Sequence, residues 1–290
     1  MSFFLQLLFS GVVLGLVYAL AALGFVLIYK ASRVVNFAQG QFIAIGAFLA
    51  YWAMVALGAP FLLAAALALA LTALLGFGVE RVFLKRMVGQ PIISVIMATI
   101  GLASLLDGLI HLTPFGAGNF SYPAFLPSGG VALLGAQVSY PQLLALGFTL
   151  AFLALFTWFF QRSTLGIAMR SVADDQMAAM SLGVSVEKVF ALAWAAAGLT
   201  AAAAGIVVGT IAGLNLDGLV HIGLRVFPVV ILGGLEAGIL IGVLENLAAG
   251  YLDPFVPGGG TRDVFPFLVL LLVLWFKPHG LFGTEEIERV

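Results

Sequence analysis

The stretch Met1–Tyr29, MSFFLQLLFSGVVLGLVYALAALGFVLIY, contains no charged residue and sets the fold class. A helix that crosses a bilayer needs about 20 consecutive, mainly apolar residues. The run is long enough for one crossing, and it lacks the basic segment with which a cleaved signal peptide begins. The sequence therefore predicts a retained transmembrane helix over about Gln6–Tyr29.

Further stretches without a charged side chain follow, and they extend this prediction to most of the chain. They cover 34–79, 87–106, 108–161 and 189–216, and the first of them is long enough for two helices. Only 9% of the 290 residues are charged and 63% are hydrophobic, whereas a soluble domain has roughly 25% charged residues. The chain is therefore predicted to be an all-α polytopic membrane protein with one transmembrane domain over 1–290. A β-barrel is excluded, because its strands are segments of about ten residues with alternating polarity.

The number of helices is predicted to be about eight. Six are placed over about 6–29, 37–56, 61–79, 92–112, 141–160 and 189–211. Residues 220–250 are apolar but interrupted by charged, proline and glycine residues, so they form either one broken span or a half-helix and a full span. The first alternative gives eight helices with the C-terminus outside, and the second changes the count or the side of the tail. The last run, Val264–Phe276, is short for a span.

The basic residues predict the orientation, because cytoplasmic loops carry an excess of lysine and arginine. With the N-terminus outside, eight basic residues lie on the inner side, and the outer loops around 57–60 and 113–140 have none. These eight are Lys30, Arg33, Arg81, Lys85, Arg86, Arg162, Arg170 and Lys188.

Several kinds of chemistry are excluded by the sequence. There is no cysteine, the three histidines are far apart, and the net charge is −1, so neither a metal site nor a nucleic-acid surface is expected. No phosphate-binding loop, nucleophile elbow or zinc-binding histidine pair occurs. We therefore expect no enzyme and no ATPase site in this chain, and no cofactor of its own.

Polar side chains at membrane depth are candidates for function, because they are expensive there. The carboxylates are scattered, at Asp107, Glu236 and Glu245, and of these Asp107 is the candidate for a substrate pathway. Between the first two helices, KASRVVNFAQGQ (30–41) places three amides within six residues: Asn36, Gln39 and Gln41. These amides either contact a polar ligand or cap a helix and form hydrogen bonds between helices.

Glycines recur at four-residue spacing in three places. On a helix this spacing makes a groove where another backbone can approach closely, either within the bundle or in a dimer. The glycines are Gly11, Gly15, Gly205, Gly209, Gly234, Gly238 and Gly242.

The segment 161–188 is the longest hydrophilic stretch on the inner side, yet it contains apolar residues among its charges. Residues 172–182 are predicted to form a short amphipathic helix that ends at Gly183, and Ser185 is expected to cap the next helix. Such a helix suits docking to a soluble partner. The alternative is a helix that lies on the lipid interface.

This segment resembles the cytoplasmic coupling loop of ABC-importer permeases of the branched-chain amino acid class. In that class an Ala-Ala pair is followed by a glycine, as in 178–183 here, although Met177 replaces the glutamate that often precedes the pair. The N-terminal signature is similar as well, with its Asn-Phe-Ala-x-Gly core at 36–40. The C-terminal signature is similar at VVILGGLEAGILIGVLENL and at FKPHGLFG (276–283), with Glu236-Ala237 in place of the usual Gly-Ser. The three matches are collinear from about 15 to 283, and the shorter, LivH-type permease is the most similar member.

The resemblance implies a permease subunit of an ATP-driven importer in the bacterial inner membrane, without bound metal. Its implied partners are a second permease subunit, two cytoplasmic ATPases that bind the ATP, a periplasmic or extracellular binding protein, and the lipid bilayer. The residues implied to contact the ATPases are Arg170, Asp174, Asp175, Ala178, Ala179 and Gly183. Branched-chain or related small amino acids are the implied substrates; simple sugars or other small polar solutes, or an ion-coupled transporter, remain alternatives.

Overall fold

The protein is almost entirely helical in the computed structural model, which describes residues 2–87, 90–133, 136–233, 235–256 and 260–277. Those ranges contain eleven α-helices. In chain order they are α1 (Ser2–Ser32), α2 (Gln39–Ala56), α3 (Phe61–Val82), α4 (Ile92–His111), α5 (Tyr140–Arg162), α6 (Thr164–Asp174), α7 (Gln176–Ser181), α8 (Val186–Ala212), α9 (Leu216–Leu232), α10 (Leu235–Leu252) and α11 (Thr261–Phe276).

Six of these helices, namely α1 to α5 and α8, are long and apolar enough to cross a membrane. They correspond to the six helices that the sequence predicts, with ends that differ by a few residues. Here the inner end of the bundle means the end at which α1 finishes and α8 begins, and the outer end is the opposite one.

The loop between α4 and α5 contains structure that the sequence did not predict. A 3-10 turn covers Pro114–Gly116, and strands β1 (Gly130–Leu133) and β2 (Ala136–Ser139) pair antiparallel, with Val131 opposite Val138. Each strand has only four residues, so its alternation of polarity is too short to predict a strand from the sequence. The surrounding region is also rich in glycine and proline, which is typical of a loop.

The interrupted stretch 220–250 forms two helices rather than one broken span. Pro228 lies inside α9 without ending it, whereas Gly233 adopts a φ of 135° directly after the helix. This left-handed backbone favours glycine, and α10 starts two residues later. Helix α11 begins three residues before the predicted run and lies against α9 and α10.

Helix α1 is central, and it runs antiparallel to α10 with the two backbones in close contact. A Cβ atom added at Gly15 would lie 2.6 Å from Ile239 Cα, and one added at Gly11 would lie 2.7 Å from Val243 Cα. Gly238 and Gly242 face them from α10, while Gly205 of α8 contacts Ile43 of α2 and Gly209 contacts Tyr122. Gly234 lies outside the described residues.

The outer loop is fastened to the bundle at two points. Phe120 and Leu214 exchange backbone hydrogen bonds of 2.9 and 2.8 Å, which places the start of α9 beside this loop. The Tyr122 hydroxyl donates a hydrogen bond of 3.1 Å to the Ala47 carbonyl. Burial raises the pKa of the Tyr122 hydroxyl above its usual range.

Candidate functional site

The inner segment between α5 and α8 consists of two helices, and the single helix predicted over 172–182 is wrong. Helix α6 ends at Asp174, and Asp175 has an extended backbone with φ −150° and ψ 110°. Its Oδ1 accepts hydrogen bonds of 2.8 Å from Met177 N and 3.0 Å from Ala178 N. An aspartate in this position satisfies the free N–H groups at a helix start, so Asp175 begins α7 instead of continuing α6.

Gly183 follows the end of α7 with a φ of 85°, and Val184 N donates to Ala179 O at 3.0 Å. This is the left-handed ending that glycine allows. Ser185 occupies the position before α8, but its side chain makes no capping hydrogen bond. The turn between α7 and α8 is therefore set by Gly183 and the backbone.

One side of α7 is attached to the inner end of the bundle, and the other side is exposed. Gln176 Nε2 donates a hydrogen bond of 3.0 Å to Ala31 O in α1, and Ala179 is buried in a cluster with Leu27 and Ala31. On the other side, Met177 is 71% exposed and Leu182 is 84% exposed. Ala178 and Gly183 are exposed beside them. The helix thus presents an apolar surface, defined here as Met177, Ala178, Met180 and Leu182.

Arg170 and Asp174 belong to α6 and not to this surface. The Arg170 guanidinium donates hydrogen bonds to the carbonyls of Phe160 and Gln161, and its Cζ lies 5.5 Å from the centre of the Phe160 ring. Arg170 thereby fixes α6 to the end of α5, and Asp174 is exposed at the end of α6.

The three amide side chains before and within α2 are buried. Asn36 Nδ2 donates to Gln39 Oε1 at 3.1 Å, and Asn36 Oδ1 accepts from Ala38 N at 3.0 Å. Gln39 Nε2 lies 3.5 Å from Ala197 O in α8. The Gln41 Oε1 atom is buried without a hydrogen-bond partner among the described residues. Asn36 and Gln39 therefore satisfy each other, and Gln41 keeps a free acceptor.

Asp107 is not part of this group. It lies 3.5 Å from His111 on the next turn of α4, and 39% of its side chain is exposed. The segment 30–41, which carries the three amides, is contacted by Thr99 of α4, whose hydroxyl donates a hydrogen bond of 3.1 Å to Val35 O. The three amides predicted for the substrate pathway thus lie together, and Asp107 lies apart from them.

Comparison with known proteins identifies the family. A family model described as "Branched-chain amino acid transport system / permease component" matches residues 7–274. The chain belongs to this family.

Individual relatives match over nearly the same length. This permease is 31% identical to the high-affinity branched-chain amino acid transport system permease protein BraD of Pseudomonas aeruginosa, over 99% of this chain and 98% of that protein. It is 29% identical to the corresponding protein LivH of Escherichia coli, over 99% and 98%. A probable LivH of Methanocaldococcus jannaschii is 24% identical, over 92% and 88%.

The permease also contains a buried charged cluster that the sequence did not predict. Glu245 is fully buried in α10, where its Oε2 accepts a hydrogen bond of 2.8 Å from the Tyr18 hydroxyl. Arg225 of α9 lies 3.8 Å from Glu245 Oε1 and also pairs with Asp263 of α11. The sequence did contain a sign of this cluster, because a carboxylate and an arginine in the apolar stretch 220–250 each require a partner. It did not indicate that the two pair with each other, since they are 20 residues apart.

A cavity of about 1010 Å³ opens at the inner end of the permease. Aromatic residues of α1, α5 and α9 line it, together with the charged residues Lys30, Arg33, Arg170 and Asp174. It lies between the inner ends of α1, α5, α6 and α9, next to the attachment of α7. The segment 161–188 therefore borders a space that reaches into the bundle.

Proposed function

We propose that this chain is the permease subunit of an ATP-driven importer of branched-chain or related small amino acids in the bacterial inner membrane. The family and the names of its relatives support the transport class and the substrates. A second permease subunit completes the pathway, and a binding protein delivers the amino acid at the outer face. Two ATPase subunits bind ATP on the inner side, so the chain has no ATPase site or cofactor of its own.

The observation that supports ATPase coupling is the two-sided arrangement of α7. Its apolar surface is free to contact a soluble partner, while Gln176 and Ala179 hold it against α1. A movement of the partner is thereby passed to a helix that crosses the whole bundle. Such a segment between two packed elements is the kind of device that couples a nucleotide cycle to a conformational change. In this proposal Ala178 and Gly183 lie at the contact, and Arg170, Asp174 and Asp175 set its geometry.

We further propose nine membrane crossings, with the N-terminus outside and residue 277 inside. The beginning of α1 lies beside the end of α10, since the rings of Phe3 and Tyr251 are 5.7 Å apart. Helix α11 begins at this outer end, where Asp263 pairs with Arg225. Its 16 residues rise about 24 Å at 1.5 Å per residue, which brings Lys277 towards the side of the eight basic residues that are predicted to lie inside.

The function is tested with the purified importer in liposomes, together with its binding protein. We expect ATP-dependent uptake of L-leucine and co-purification of the ATPase subunits. Ala178→Arg should abolish both, because a charge is placed on the apolar surface of α7. Ala117→Arg is the matched control, since Ala117 is an exposed alanine of the outer loop. Uptake of a simple sugar but no amino acid, or ion-driven uptake by the isolated chain, would overturn the proposal.

The orientation is tested by cysteine labelling, for which the chain is suited because it has no cysteine. A membrane-impermeant maleimide is applied to right-side-out and inside-out vesicles. Leu182→Cys and Lys277→Cys should react only in inside-out vesicles, and Leu112→Cys only in right-side-out vesicles. Labelling of Lys277→Cys from the outside would contradict the nine crossings.

A further inference from the structure

A second cavity, of about 430 Å³, lies near the outer end between α1, α5, α8, α9, α10 and the start of α11. We refer to it as the outer chamber. Its rim is exposed at Ile211, Asn215 and Gly218, and its floor is buried at Ile222 and Glu245. Small-molecule sites typically have volumes of about 300–1,000 Å³ and are concave, so the outer chamber has the size of a site for one small solute.

The outer chamber has an apolar side and a charged side. Val13, Leu219 and Ile222, all at most 5% exposed, line the apolar side. Arg225, Glu245 and Arg262 line the charged side. With Asp263, which pairs with Arg225, the cluster has two positive and two negative groups. Because this cluster is neutral overall, a solute with a single charge would use only one of its two sides, whereas a solute with both charges and an apolar tail would find a partner for each part.

Two atoms of this cluster are buried and lack a hydrogen-bond partner within the described residues: Glu245 Oε1 and Arg225 Nε. Glu245 Oε1 is 3.8 Å from the Arg225 guanidinium, which is too long for a hydrogen bond. Buried polar atoms of native proteins are nearly always bonded, so each exception requires an explanation. A ligand ammonium beside Glu245 and a ligand carboxylate beside the arginines would supply bonds at this place.

We propose that the outer chamber binds the zwitterionic head group of an aliphatic amino acid during transport. The α-ammonium group lies against Glu245, the α-carboxylate lies against Arg225 and Arg262, and the side chain lies against the apolar side. Tyr18 is a positioning residue, because its hydroxyl holds Glu245 Oε2 while Oε1 has no hydrogen bond within the described residues. This inference rests on the proposed function, to which it adds the place where the amino acid is recognised.

The test uses the whole purified importer in nanodiscs without its binding protein, and it measures binding of radiolabelled L-leucine. Leucinamide, which lacks the carboxylate, and 4-methylpentanoate, which lacks the ammonium group, serve as competitors. Each lost charged contact should weaken competition by about tenfold or more. Glu245→Gln should reduce the preference for leucine over 4-methylpentanoate to less than about threefold, with the preference over leucinamide unchanged. If Glu245 had only a structural role, its substitution would not change the preference over 4-methylpentanoate while leaving the preference over leucinamide unchanged.

The matched control is Glu236→Gln, the same substitution at an exposed residue of the same helix, and we expect both preferences to stay as in the wild type. Gly218→Leu is a second variant for the case that Glu245→Gln does not assemble. A Cβ at Gly218 would lie 3.7 Å from its nearest neighbour, Asn215 Oδ1, so the side chain can be accommodated at the rim. It should weaken all three ligands equally, by about tenfold or more.

The proposal is overturned if the wild type binds leucine and neither Glu245→Gln nor Gly218→Leu changes the binding. It is also overturned if the wild type shows no measurable leucine binding. ATP-driven leucine uptake by the wild-type importer is measured in parallel with the binding protein present. If uptake occurs while the binding result fails, only the outer chamber is wrong. If no uptake occurs, the proposed function itself is wrong.

Discussion

Tyr18 and Glu245 are 227 residues apart in the chain, yet the Tyr18 hydroxyl and Glu245 Oε2 form a fully buried hydrogen bond of 2.8 Å. The bond joins α1 to α10 on the same contact that the glycines of these helices bring together. A buried carboxylate depends on such donors, because an unsatisfied polar group is costly inside a membrane bundle. Helices α1 and α10 are therefore linked by a polar contact as well as by backbone packing.

Tyr18→Phe removes this donor and leaves Glu245 with no hydrogen bond to its buried oxygens among the described residues. We expect a loss of about 1–2 kcal/mol in the free energy of unfolding, within the range for polar contacts in membrane bundles. Thermal unfolding of the detergent-purified chain measures it. Tyr29→Phe on the same helix is the control, since Tyr29 is 45% exposed. Equal unfolding temperatures for the two variants would show that the Tyr18 bond adds no stability.

Gly15→Ala tests the close approach of α1 and α10. The new methyl group would lie 2.6 Å from Ile239 Cα, and backbone atoms cannot give way as a flexible side chain can. We expect a destabilisation of about 1–3 kcal/mol. Gly147→Ala in α5 is the matched control, because no atom lies within 4 Å of its added Cβ, and alanine favours a helix by about 1 kcal/mol. A stability of Gly15→Ala equal to that of Gly147→Ala would contradict the packing.

The six long helices could be predicted because the bilayer imposes a simple rule on the sequence. A run without charged residues must be about 20 residues long to cross, and the basic residues at the inner ends also mark the cytoplasmic side. The same rule is weaker for α9 and α11, which have 17 and 16 residues and carry charged groups. There the pairing of Arg225 with Glu245 and Asp263 compensates for the charges, and pairing is a property of the fold.

The candidate site was predicted in part, for a related reason. The segment 161–188 could be recognised by its composition and by its resemblance to coupling loops. The division of this segment into α6 and α7 at Asp175 could not be predicted, since an aspartate within a polar run fits either a helix interior or a helix start. The hydrogen bond from Gln176 to Ala31 joins residues 145 positions apart. No spacing in the sequence indicates such a contact.

The ion pair between Lys85 and Glu187 is expected to add little stability. Its atoms are 2.8 Å apart, but the side chains are 40% and 58% exposed, so water and salt screen the attraction. A double-mutant cycle with Lys85→Ala and Glu187→Ala should give a small coupling energy that decreases as salt is added. The cycle of Arg86→Ala with Glu187→Ala is the control. A large coupling energy that added salt leaves unchanged would show that the pair is shielded from solvent.

Gln176→Leu is expected to separate ATPase docking from transport. The substitution removes the hydrogen bond to Ala31 O and leaves the apolar surface of α7 unchanged, so the ATPase subunits should still co-purify. The weakened attachment of α7 to α1, worth about 0.5–1.5 kcal/mol, should lower leucine uptake per ATP hydrolysed by roughly two- to tenfold. Gln137→Leu on the outer hairpin is the matched control and should transport as the wild type does. Loss of co-purification in Gln176→Leu would place Gln176 in the docking surface itself, and unchanged uptake per ATP would show that this bond does not couple α7 to α1.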